Sequence, residues 1–79
     1  MSQEIIKAVK DLAESRYNQG HGWQVIVECM GDEEIMEHLN FMLDNKLMEE
    51  ITVESAIEEF TAFAEIHTER HDEIAATAW

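Results

Sequence analysis

The side chains with the greatest chemical reach in this sequence are carboxylates, and one set of them recurs at helical spacing. Glu54, Glu58, Glu65, Glu69 and Asp72 lie three, four or seven residues apart, so a helix turning about 100° per residue gathers them on one face. Carboxylates at i,i+4 stand about 6 Å apart. That spacing is comparable to phosphates along a DNA strand, so the face could mimic nucleic acid toward a basic protein. Such a face can also simply solvate a bundle helix. A merely soluble face, however, mixes Lys with Glu, and this one hardly does. His67 and His71, also at i,i+4, could chelate a divalent metal. They fall on the apolar stripe with Phe60 and Ile74, which favours a half-buried or interfacial pair over a metal site. Neither Glu-x-x-His nor His-Glu-x-x-His occurs, which argues against di-iron and metalloprotease arrangements.

The remaining candidates carry less. Glu34 and His38 form another i,i+4 pair, read as a surface ion pair or a weak pair of ligands. Met30, Met36, Met42 and Met48 recur every six residues and share no helix face, so they read as core filling rather than an adaptable groove. Cys29 follows Val25 and Ile26 and adjoins Glu28, which disfavours a thiolate; a buried, unreactive thiol is expected. The sequence has no Walker loop, dinucleotide fingerprint, nucleophile elbow or EF-hand loop. The expectation is a protein that is not an enzyme and takes no cofactor.

These residues need elements to place them, and the periodicity predicts helices throughout. Ser2 is a plausible N-cap for a helix to about residue 18, with Ile5, Ile6, Val9, Leu12, Ala13 and Arg16/Tyr17 on its apolar stripe. Lys7/Asp11 and Lys10/Glu14 would pair along its outer side, and Gly20 would supply a left-handed C-terminal cap. Val25-Ile26-Val27 favours a strand by propensity, but no second strand exists to pair with it. Trp23, Ile26, Val27 and Met30 fit i, i+3, i+4, i+7, so a short helix is expected. After Gly31, Asp32 would cap a helix to about Asn45 with Ile35, Met36, Leu39, Met42 and Leu43 inward. Thr52 would cap the last helix, with Ile51 stapled to Ala56. That helix runs from Val53 to about Ala78, with Val53, Ile57, Phe60, Ala64, His67, His71, Ile74 and Ala78 as its stripe. It would extend about 39 Å, longer than the roughly 30 Å breadth of a globule this size. It must therefore bend, fray or overhang, and an overhang ending in Ala75, Ala78 and Trp79 suggests a partner chain.

Composition sets the outer limits. The 79 residues make one domain, able to bury only about 60% of its unfolded surface. With one cysteine, intrachain disulfides and cysteine-rich zinc sites are excluded, which leaves oligomerisation as the expected stabiliser. Eighteen acids against five bases give a net charge of −13. Residues 1–27 are neutral, so residues 28–79 carry all of it. This field repels nucleic acid and anionic membrane and attracts basic proteins. Hydrophobic residues at 46% are too many for a disordered acidic tail. Neither a signal peptide nor a membrane span is visible, so a cytoplasmic setting is expected.

Acyl carrier proteins share this size and acidity, but Ser2, Ser15 and Ser55 all lack their Asp-Ser-Leu context. Three segments, Ala13-Glu14-Ser15-Arg16-Tyr17, Gly22 to Cys29 (GWQVIVEC) and Asp32-Glu33-Glu34-Ile35, resemble small uncharacterised acidic proteins of tailed phages, notably those of marine cyanobacteria. The resemblance covers about the first half of the chain. It implies a phage origin and a host-cytoplasm setting, and it assigns no functional residues. The combined expectation is an all-α protein, a small bundle of three or four helices with a long C-terminal helix, forming a homodimer. It would bind a basic partner protein through its acidic helix face, with no direct nucleic acid or membrane contact. A structural subunit that self-associates through an apolar helix face, or a small metal-binding helical protein using His67 and His71, are the alternatives.

Overall fold

The computed structural model describes residues 2–77, with side chains from 3 to 74. Four helices follow one another: α1 (Ser2–Ser15), α2 (His21–Cys29), α3 (Asp32–Asp44) and α4 (Val53–Thr77). A 3-10 turn, Tyr17–Gln19, links the first two. No strand occurs among the described residues, so Val25-Ile26-Val27 lies in a helix despite its β propensity. The override is tertiary: Trp23 and Ile26 are buried on one side of α2, with Val27 and Met30 packed beside them.

All four helices contribute to a single core. Val9, Ile26, Ile35, Leu39 and Phe60 are its largest fully enclosed side chains, each worth about 1.5–3 kcal/mol of burial. Small residues let the helices approach closely. Gly22 meets α4 so tightly that a Cβ there would sit 2.0 Å from the carbonyl oxygen of Ala64. At the same crossing the Gly22 N–H donates to Thr68 Oγ1 at 2.9 Å. Thr68 thus satisfies one of the orphan donors of the first turn of α2 from another helix.

Several expected local features take another form. The first helix stops at Ser15, where the chain tightens into the 3-10 turn, with Gln19 N bonded to Arg16 O. Gly20 is extended rather than left-handed, at φ 171°. Glycine is required there by space, since a Cβ would fall 2.6 Å from Thr68 Oγ1. Asp32 begins α3 but Gly31 occupies the cap position, and Asp32 pairs with Lys10 instead. That inter-helix pair replaces the expected Lys10/Glu14 pair, and Lys7/Asp11 makes none. The N-cap reading of Ser2 falls outside the described side chains.

The C-terminal end of α3 and the start of α4 are well made. Leu47 N bonds Met42 O and Lys46 N bonds Leu43 O, the paired bonds of a Schellman stop. Lys46 takes its left-handed position at φ 59°. Thr52 caps α4 as expected. Its Oγ1 accepts from Ser55 N at 3.0 Å, and its own N–H donates to Ser55 Oγ at 2.8 Å. Ser55 thus takes the place of the usual Glu or Gln in a reciprocal capping box. Ile51 packs against the cluster that contains Ala56.

The 25 residues of α4 outrun the rest of the bundle. The molecule measures 45 × 26 × 18 Å with a radius of gyration of 13.0 Å, against about 11.6 Å for a compact chain of this length. Residues 69–74 are all exposed, so the helix overhangs. Ala75, Ala78 and Trp79 lie outside the described side chains.

Candidate functional site

The long helix divides into faces that differ in what they touch. Its buried line is Ala56, Phe60 and Ala64, continued by half-buried Phe63, His67 and Thr68. The expected stripe is therefore correct at its centre and wrong at its ends. Val53 and Ile74 are exposed by 37% and 61%, because the other helices cover only the middle of α4. Ala56, left out of the expected stripe, is fully buried. Ala78 lies beyond the described residues.

Opposite the core lies the carboxylate row. Glu54, Glu58, Glu65, Glu69 and Asp72 are all exposed and fall within about 60° of one another on the helix surface. From first to last they span about 27 Å of helix axis. Among the described residues, Glu54, Glu58, Glu65 and Glu69 have no ion-pair partner. Asp72 lies 3.7 Å from His71 Nδ1.

Of the two histidines on α4, His67 is half-buried and His71 is exposed. His71 stacks on His21 at the start of α2, ring centroids 4.0 Å apart and 19° from parallel. His67 packs on Phe63 at 4.2 Å. Each ring of the expected pair is thus engaged by a different neighbour. Among the described residues, no group of three or more His, Cys, Asp and Glu side chains is gathered as a metal centre. His38 bonds not to Glu34 but to Glu59, Nε2 to Oε2 at 2.7 Å, while its ring lies against Phe60 and Phe63. This half-buried pair fastens α3 to α4. A trace of it exists in the sequence, since Glu59 falls about 100° from Glu58 on the helical wheel and so leaves the acidic face.

Two further contacts tie the chain after α1 to α2. Arg16 lies 5.3 Å from the centre of the Trp23 ring, a cation–π contact. The Tyr17 hydroxyl donates to Glu28 Oε1. Hydrogen bonding to that carboxylate, then burial and charge repulsion, hold the Tyr17 phenol above its ordinary value. Cys29 is exposed rather than buried. It ends α2, where the neighbouring Glu28 and Gly31 are exposed too. The methionines 30, 36, 42 and 48 are all half-buried, and Met30, Met36 and Met48 pack on the core.

No helix among the described residues is long and apolar enough to cross a membrane. The chain matches no protein-family model, no curated protein and no solved structure.

Proposed function

We propose that this protein is a non-catalytic binding module that engages a basic partner protein through the outer face of α4. The observation carrying this reading is the row Glu54, Glu58, Glu65, Glu69 and Asp72, exposed along one face. Four of the five have no ion-pair partner among the described residues. The row presents a line of negative charge along one helix face, as a nucleic-acid strand does, and so suits a protein surface built for phosphates. With the phage-like N-terminal half, this extends to a phage-encoded modulator that occupies a nucleic-acid site on a host protein in the cytoplasm.

The test is capture from bacterial lysate on the immobilised protein. Bound proteins should be retained at about 0.1 M salt and released towards 1 M, as the screening length falls from about 10 Å to about 3 Å. The combined Glu54→Gln, Glu58→Gln, Glu65→Gln and Glu69→Gln variant should capture little. Capture indifferent to salt, or undiminished in that variant, would refute the reading. Self-association into a homodimer is the second reading, favoured by Ile66 and Phe41, which are exposed by 60% and 59%. Its mark would be a melting temperature that rises with protein concentration.

A further inference from the structure

We infer that the basic partner is anchored in an apolar groove where α1, α3 and the start of α4 meet, by a large apolar side chain flanked by Lys or Arg. This rests on the binding-module reading above and adds to it the place and chemistry of the anchor. The groove is a hollow of about 430 Å³ lined by Ile5, Met36, Ile51 and Val53, with Glu4 and Glu50 also lining it. Both glutamates are exposed, so they stand at its mouth. Its size falls within the roughly 300–1,000 Å³ of sites that take small apolar groups.

The groove is continuous with the acidic face. A neighbouring hollow of about 440 Å³ shares Glu50 and Thr52 with it and adds Leu47, Met48 and Glu58. Glu58 belongs to the carboxylate row, and Leu47 is exposed by 65%. Five glutamates and no Lys or Arg line the two hollows. An occupant must therefore match an apolar floor and a wholly negative rim. A second copy of this chain brings a charge of −13 to that rim and is disfavoured by repulsion. An amphipathic basic segment satisfies both demands, its apolar side chain on the floor and its cations on Glu4, Glu50 and Glu58.

The probe is a fluorescent synthetic amphipathic peptide of Lys and Leu, set against a peptide of equal length and charge with Ser for Leu. Anisotropy titrations should give binding at least about tenfold tighter for the Leu peptide, the worth of burying one such side chain. Methyl signals of Ile5, Met36, Ile51 and Val53 should shift with the Leu peptide only. The double variant Leu47→Ser, Val53→Ser alters two exposed side chains, so the fold is not at stake. It should lose most of the discrimination, binding the Leu peptide several-fold more weakly than the unaltered protein does. Equal binding of both peptides to the unaltered protein, or full discrimination in the double variant, overturns the anchor. If that binding is still lost at high salt, the acidic-face reading stands. Failure of both peptides to bind at low salt overturns both ideas. Sedimentation that shows a dimer abolished by the double variant assigns the groove to a second copy and also overturns the anchor.

Discussion

Gly22→Ala should destabilise the protein markedly, although alanine is the better helix former. A Cβ at this position lies 2.0 Å from Ala64 O and 2.6 Å from the Ala64 carbonyl carbon, where ordinary carbon–oxygen contact is about 3.3 Å. Both atoms are backbone and cannot rotate away, so α2 must lift from α4 by about 1 Å. Overpacking of this kind costs about 1–3 kcal/mol. The lift also breaks the 2.9 Å bond from Gly22 N–H to Thr68, leaving a part-buried donor unpaired at about 1–3 kcal/mol. Helix propensity returns at most about 1 kcal/mol. The net loss is about 1–5 kcal/mol, centred near about 3, a large share of the roughly 4–12 kcal/mol available to a chain of this length. Circular dichroism melts should then fall by about 10 °C or more. Thr68→Val isolates the hydrogen-bond part and should cost about 1–3 kcal/mol. Adding Ala64→Gly to Gly22→Ala should restore nothing, because the obstructing atoms are not side chain. A melting temperature unchanged or raised in Gly22→Ala would refute the close α2–α4 contact and the registration of α4 built on it.

Tyr17 is the only tyrosine, so its alkaline titration is readable by phenolate absorbance alone. The Glu28 bond favours the protonated phenol and raises its folded-state value above 10.0. Its stabilisation is complete below about pH 10 and is lost as pH rises through that higher folded-state value. Glu28→Gln should bring the titration midpoint down towards about 10, and identical midpoints in the two proteins would contradict the bond. Lys46→Gly should raise stability by about 0.5–1 kcal/mol in urea unfolding, because glycine holds the φ of 59° without the left-handed penalty of about 1–2 kcal/mol. A loss on that substitution would mean that α3 does not end in the left-handed turn.

Much of the architecture was legible because amphipathic periodicity is a local property. Ile5, Ile6, Val9 and Ala13 mark the inner face of α1, and Thr52 marks the start of α4. The acidic row was legible for the same reason, since five positions on one continuous helix need no tertiary information to share a face. What escaped depends on contacts between helices. Gly20 reads as a helix cap, yet it and Gly22 are set by the approach of Thr68 and Ala64 more than forty residues later. His67 and His71 share a helix side, but their partners, Phe63 and His21, are chosen by packing. Cys29 looked buried from its apolar neighbours, whereas a residue that ends a short helix has nothing folded over it. The ends of the α4 stripe failed because periodicity identifies which side faces inward but not how far the covering helices extend.

The disposition of the cations gives the acidic row its meaning. Of the three cations in the neutral N-terminal third, Lys10 is taken up by Asp32 and Arg16 lies over Trp23, both junctions between helices. On α4 itself Arg70 is the only Lys or Arg. Glu54 with Glu58 and Glu65 with Glu69 therefore stand as like charges at i,i+4, each pair costing about 0.2–0.5 kcal/mol. Helix stability alone would favour alternating signs on this surface. Core packing does not require the row either, because Ala56, Phe60 and Ala64 hold α4 from the other side. The repulsion is thus a cost that the fold does not demand, and positive charge brought from outside would relieve it. A basic surface docking on α4 would gain that relief in addition to its own contacts, which is why the binding reading is preferred to a merely solvated face.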